Sequence, residues 1–97
     1  MVTCVGGATV PALLERLRVD SYFEYRIIGV DSNGAGFADE LIDAFYVVPK
    51  GNGPDYINVV CEVVERESVH AILPGSDEEA LSLARCREQL KHSARVH

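Results

Sequence analysis

Basic side chains are scarce: nine Lys plus Arg stand against fifteen Asp plus Glu, for a net charge of -6 and a pI near 4.9. Nucleic-acid binding needs a basic face that releases counterions from phosphates. The few basic residues here are dispersed rather than patched, so no nucleic-acid partner is expected. No apolar run approaches the ~20 residues of a membrane-spanning helix. The opening Met1-Val-Thr-Cys-Val5 has neither the basic nor the apolar region of a signal peptide, and a cytoplasmic, non-membrane protein is the expectation. Cysteine is sparse as well. Cys4, Cys61 and Cys86 are widely separated and form no C-x-x-C or C-x-x-H cluster, so free buried thiols are expected rather than a metal or redox site. His70, His92 and His97 make no metal spacing with them, and no Ser, Thr or Cys has a neighbouring base that would mark a nucleophile.

What is present is a 97-residue chain, 47% hydrophobic and 25% charged, enough for one modest core and one domain. Its hydrophobic pattern switches repeatedly between short runs and helical spacing. Val2-Thr-Cys-Val5 predicts a first buried strand, ended by Gly6-Gly7. Val10, Leu13, Leu14 and Leu17 then fall on one helical stripe, with Pro11 in the first turn. Arg26 to Val30 predicts a second strand, stopped by the turn formers Asp31-Ser-Asn-Gly34, and a short helix is expected from about Phe37 to Asp43. Ala44 to Val48 predicts a third strand, and Pro49 to Pro54 a Gly- and Pro-rich loop.

A helix from near Pro54 places Ile57, Val60 and Val64 inward, and its β-branched content means that packing rather than propensity must hold it. Val69 to Leu73 predicts a fourth strand. Ser76-Asp-Glu-Glu79 fits a capping box, and the helix it opens should run to about Leu90, burying Leu83, Ala84 and Leu90. Residues 92–97 show no period and are expected to be a linker or a truncated end, leaving 1–91 as the domain.

Four strands alternating with four helices predict an α/β, Rossmann-like open parallel sheet of order 3-2-1-4, with helices on both faces and right-handed crossovers. Ligands of such sheets sit at the carboxyl ends of the strands, beside the point where the strand order reverses. That geometry nominates Gly6 and Gly7, Asp31 with Ser32, and Gly75 with Ser76 as neighbours in one crevice. Gly6-Gly7 would let an anion approach backbone amides at a helix N-terminus, although two glycines equally serve the turn alone. Neither G-x-G-x-x-G nor a Walker loop is present. Asp31 could orient a polar ligand group or simply cap its turn. Asp77, Glu78 and Glu79 complement a helix dipole; Glu78 is the one free to turn toward a ligand amine or hydroxyl. With Asp31, Asp39 and Glu40 added, the crevice edge is acidic and suits an amine or sugar hydroxyl better than a polyphosphate.

The ordered set Val5-Gly-Gly-Ala8, Ile28-Gly-Val-Asp31, Ala38-Asp-Glu with Tyr46-Val-Val-Pro49, and Ala71-Ile-Leu-Pro-Gly-Ser-Asp-Glu-Glu79 resembles the N-terminal, pre-ATP-grasp domain of ATP-grasp ligases. The likeness is strongest to the carbamoyl phosphate synthase large-subunit type and covers about Met1 to Leu90. It implies a domain that supplies the acceptor-substrate side of an ATP-dependent carboxylate-amine ligase and is not catalytic alone. By the same resemblance ATP and magnesium belong to later lobes of the parent enzyme, with no cofactor and no catalytic residue in this chain. The expected partners are those lobes, a small-molecule carboxylate or amine, and, through an exposed apolar surface, a second copy in a homodimer. A free-standing nucleotide or small-ligand binding module is the alternative reading.

Overall fold

A computed structural model describes every residue except 8, 9, 21, 87–94 and 97. Three α-helices, α1 (Val10–Arg18), α2 (Tyr56–Glu67) and α3 (Asp77–Arg85), accompany a 3-10 helix at Gly36–Leu41. Strands β1 (Ile28–Asp31) and β2 (Ala44–Val47) pair in parallel, with Ile28 opposite Ala44 and Asp31 opposite Val47. Strands β3 (Ala71–Ile72) and β4 (Arg95–Val96) form a second parallel pair. The protein is thus a small α/β fold with two two-stranded parallel sheets, and nothing in their pairing conflicts with the expected order.

The first apolar run lies between these pairs without becoming a regular strand. Val2 makes parallel bridges to Gly29 and to Leu73, with amide bonds from Val2 to the Ile28 carbonyl and from Thr3 to the Leu73 carbonyl. Cys4 then takes a left-handed φ of 51°, which ends the extended conformation before Val5. β1 begins later than its apolar run because the Ile27 amide is claimed by the Asp43 carboxylate at 2.6 Å. The helix expected at Phe37 to Asp43 is the tighter 3-10 form and stops at Leu41. Within the stretch read as a linker, Arg95 and Val96 pair with Ala71 and Ile72; two residues carry no period for a sequence pattern to reveal.

Helix α1 buries Val10 and Leu14 and leaves Leu13 at 38% exposure. Helix α2 buries Tyr56, Val60, Val63 and Val64; of the expected stripe Val60 and Val64 are buried, while Ile57 is half-buried against the same cluster. Helix α3 buries Leu83, whereas Ala84 is exposed, contrary to expectation; Leu90 lies outside the described residues. Two hydrophobic clusters result. One gathers Ile28, Val30, Val60, Val64, Ile72 and Leu83, and the other Val2, Val5, Val10, Leu14, Ala35 and Ala38. Alternation along β1 separates them: Ile28 and Val30 face the first cluster, while a Cβ on Gly29 would meet Val5 at 3.0 Å and Ile42 at 2.9 Å on the side of the second. Helices α2 and α3 therefore cover one face of β1, and α1 with the 3-10 helix covers the other.

Candidate functional site

At the carboxyl end of β1, Asp31 is 9% exposed and holds two backbone amides, Gly6 through Oδ2 and Asn33 through Oδ1, each at 2.9 Å. The end of β1 and the end of the first segment are thereby tied by one carboxylate. The Gly6 amide is spent on Asp31, and the Gly7 amide donates to the Cys4 carbonyl at 2.9 Å. The two donors expected to face an anion are thus already engaged within the fold. Gly6 has to be glycine for a packing reason, since a Cβ there would run into the Gly34 carbonyl. Ser32 is half-buried beside Asp31.

The end of β3 is joined to the first segment in a similar way. The Gly75 amide donates to Thr3 Oγ1 at 3.0 Å, and Thr3 is completely buried. A Cβ on Gly75 would collide with the Thr3 carbonyl and lie 3.1 Å from Cys4 Cβ. Ser76 caps α3: its Oγ accepts the Glu79 amide at 3.3 Å. The reciprocal arm of the expected capping box is replaced by another contact, because Glu79 Oε2 accepts the Tyr56 hydroxyl at 2.9 Å. Glu78 is exposed and accepts the Asn52 amide at 3.0 Å, so it anchors the loop before α2.

Six of the seven nominated residues thus belong to two hydrogen-bonded turns, Gly6-Gly7 with Asp31-Ser32, and Gly75-Ser76. Both turns are fastened to the first segment. Glu78 stands apart, on the loop side of α3.

The residue that links the two turns was noted in the sequence only as a thiol. Cys4 is half-buried, as are Cys61 and Cys86, rather than fully buried as expected, and all three are free. Its side chain lies between the glycine turns, with Sγ 3.6 Å from where a Gly7 Cβ would be. Burial pushes the Cys4 thiol up, and the charges of Glu79 and Asp31 and a hydrogen bond to Glu79 push it further, so it stays protonated. Tyr56 is 1% exposed, and burial, then Glu79, raises its phenol strongly, with the Thr3 side chain opposing in part. Thr3, Cys4, Tyr56 and Glu79 form one polar cluster beneath the crevice. Only its position within an apolar run could have marked Cys4, and nothing local marks Tyr56, which comes from α2.

The strand-end turns and the first turn of α3 carry the carboxylates of Asp31 and Glu78 and the hydroxyls of Ser32 and Ser76. Among the described residues no group of three or more His, Cys, Asp or Glu could hold a metal ion, and the phosphate-binding fingerprint is missing from the sequence. The carboxylate and hydroxyl oxygens of these turns can accept hydrogen bonds. No described helix is long and apolar enough to cross a membrane.

Among known families, the one described as PylC-like, N-terminal domain, aligns with residues 8–95. No curated protein sequence matches the chain.

Proposed function

The chain belongs to the PylC-like N-terminal domain family, a pre-ATP-grasp domain of ATP-grasp ligases, and from that premise we propose that it supplies the acceptor-substrate side of a carboxylate-amine ligase. The observation that carries the reading is the pair of strand-end turns, Gly6 with Asp31 and Gly75 with Ser76, both fastened to the first segment through Asp31 and Thr3. In an open α/β sheet such strand ends are where ligands are held. The carbamoyl phosphate synthase-like subtype, carried by the Pro74-Gly-Ser-Asp-Glu78 stretch, is a part of this proposal and not of the family match.

In this role the residues of the chain bind and orient. Gly6 and Gly75 let the chain pack closely on the Gly34 and Thr3 carbonyls and so hold the two turns in place. Asp31, Ser32 and Ser76 offer oxygens to its polar hydrogens. Glu78, exposed at the first turn of α3, adds a charge that favours an amine, and Gly7 shapes the turn between. By the resemblance, ATP and magnesium are assigned to lobes of the parent chain. When bound there, they would supply activation of the carboxylate as an acyl phosphate; this domain would bring the amine to it.

The test is kinetic and uses the ligase that carries this domain. Glu78→Gln should raise KM for the amine several-fold while ATP turnover without acceptor is unchanged. Unchanged acceptor kinetics in both Glu78→Gln and Asp31→Asn would refute the assignment.

A further inference from the structure

At the opposite, amino ends of β1 and β3 two cavities of about 620 and 570 Å3 share Leu17, Glu24, Tyr25 and Arg26. Both volumes are of the size that holds small organic ligands. The deeper walls are apolar, built from Met1, Ile27, Val69 and Leu73. The rim is aromatic. Phe23 and Tyr25 stand with ring centroids 6.1 Å apart, tilted by 49°, and Phe23 is 67% exposed. Asp20 fixes this strap, accepting the Tyr22 amide at 2.8 Å and the Tyr25 hydroxyl at 2.7 Å.

The charges around the rim are unequal in their partners. Arg18 is answered by Asp43 at 2.9 Å and Arg26 by Glu67 at 2.7 Å. Asp20 bonds only neutral donors, and Glu24 has no ion-pair partner among the described residues. Two uncompensated carboxylates therefore stand beside exposed aromatic faces and an apolar hollow. The Met1 ammonium also lines the first cavity but is turned to the Ala71 carbonyl at 2.8 Å, and the remaining excess of carboxylates disfavours an anionic ligand. A second copy of this chain would bring the same excess of negative charge, -6 overall, to the same face.

We infer that these joined cavities bind a small amphipathic cation, an amine or ammonium head carried on an aromatic or aliphatic body. The body fills the apolar hollow, and the head lies between Glu24 and the rings of Phe23 and Tyr25, where charge pairing and cation-π attraction act together. This site is separate from the acceptor crevice at the other end of the strands and does not depend on it.

The probe is phenethylammonium, titrated into the chain with amide shifts and tyrosine fluorescence as readouts, beside neutral 2-phenylethanol and anionic phenylacetate. Phenethylammonium should bind tightest, phenylacetate not at all, with shifts at residues 23–28 and 69–73 and none at Gly6 or Gly75. Glu24→Gln should weaken phenethylammonium about three- to tenfold and leave 2-phenylethanol unchanged. Glu24 is exposed, so the variant should keep the wild-type thermal midpoint. Equal binding of phenylacetate, full affinity in Glu24→Gln, or shifts confined to the strand-end turns would overturn the inference. So would a concentration-dependent dimer, seen by sedimentation, that phenethylammonium fails to disperse.

Discussion

The turn Gly75-Ser76 shows how one short stretch divides its work among neighbouring side chains. Ser76 Oγ accepts an otherwise unpaired amide of α3, Glu79 is drawn to Tyr56, and Glu78 to Asn52. Ser76→Ala removes the cap and should lower unfolding free energy by about 0.5 to 2 kcal/mol, measured as a shift in denaturant midpoint. Glu78→Gln keeps the size and the acceptor oxygen and removes only charge near a helix N-terminus. Its loss should stay within about 0.3 to 1 kcal/mol. A larger loss for Glu78→Gln than for Ser76→Ala would make Glu78 a structural anchor of the loop at Asn52 and would remove it from the acceptor site. The sequence spacing S-x-x-E identified the cap correctly but not the direction of Glu79, because a buried tyrosine from α2 competes for that carboxylate, and no local pattern encodes it.

Among the elements, those defined by a long period were legible. The stripes of α1 and α2 and the run of β2 follow from hydrophobic spacing alone, and the structure places them within two residues of expectation. The elements that differ do so for local reasons. The run Val2 to Val5 has strand composition, yet Cys4 at φ 51° bends it after a single bridge residue. The segment before β1 is held by side chains: Arg18 donates to the carbonyls of Tyr25 and Leu41 and to Asp43, while Asp43 takes the Ile27 amide. The same applies to the candidate site, where the glycine turns and Asp31 could be placed from strand-end rules but the Cys4-Tyr56-Glu79 cluster could not. The C-cap of α2 offers a test of backbone strain at this scale. Ser68 adopts φ 52° and ψ 49° while its amide bonds the Val64 and Glu65 carbonyls. A left-handed conformation costs an L-residue roughly 1 to 2 kcal/mol, of which glycine's greater freedom in the unfolded chain takes back a part. Ser68→Gly should therefore stabilise the protein by about 0.5 to 1 kcal/mol. Thermal unfolding checks it, and a lower midpoint would mean that the Ser68 side chain makes stabilising contacts of its own.

For the molecule as a whole, the acidic balance and the buried hydroxyls and thiols set a window of pH stability with two different edges. On the acid side, the Ile27 amide foremost, then Arg18, holds the Asp43 carboxyl below the usual range, and Tyr46 foremost, then Arg26, does the same for Glu67. Folded-state values below the unfolded ones contribute stability above the unfolded pKa that is lost as pH falls through the folded one, so the loss should begin below about pH 4.5. Glu67 matters most to the architecture, because its two oxygens take Arg26 from before β1 and Tyr46 from β2. On the alkaline side the sign reverses. Burial raises the Cys4 and Tyr56 groups, and hydrogen bonding to Glu67 raises Tyr46. Their stability is complete below the unfolded values, near 8.5 for a thiol and 10 for a phenol, and is lost as pH rises through the folded ones. Burial lowers the Met1 ammonium to about 6, so its share of stability is lost as pH falls from about 8 through 6. Denaturant midpoints measured across pH should form a plateau that rises over that range, with a steeper fall on either side. Tyr56→Phe separates the causes. It deprives Glu79 of a donor and lowers the plateau, yet it removes the most deeply buried ionising group, so the alkaline fall should become shallower in the variant than in the wild type. An alkaline limb of unchanged steepness would show that Tyr56 does not couple folding to pH, and would leave the thiol of Cys4, at the junction of the two strand-end turns, as the group to replace next.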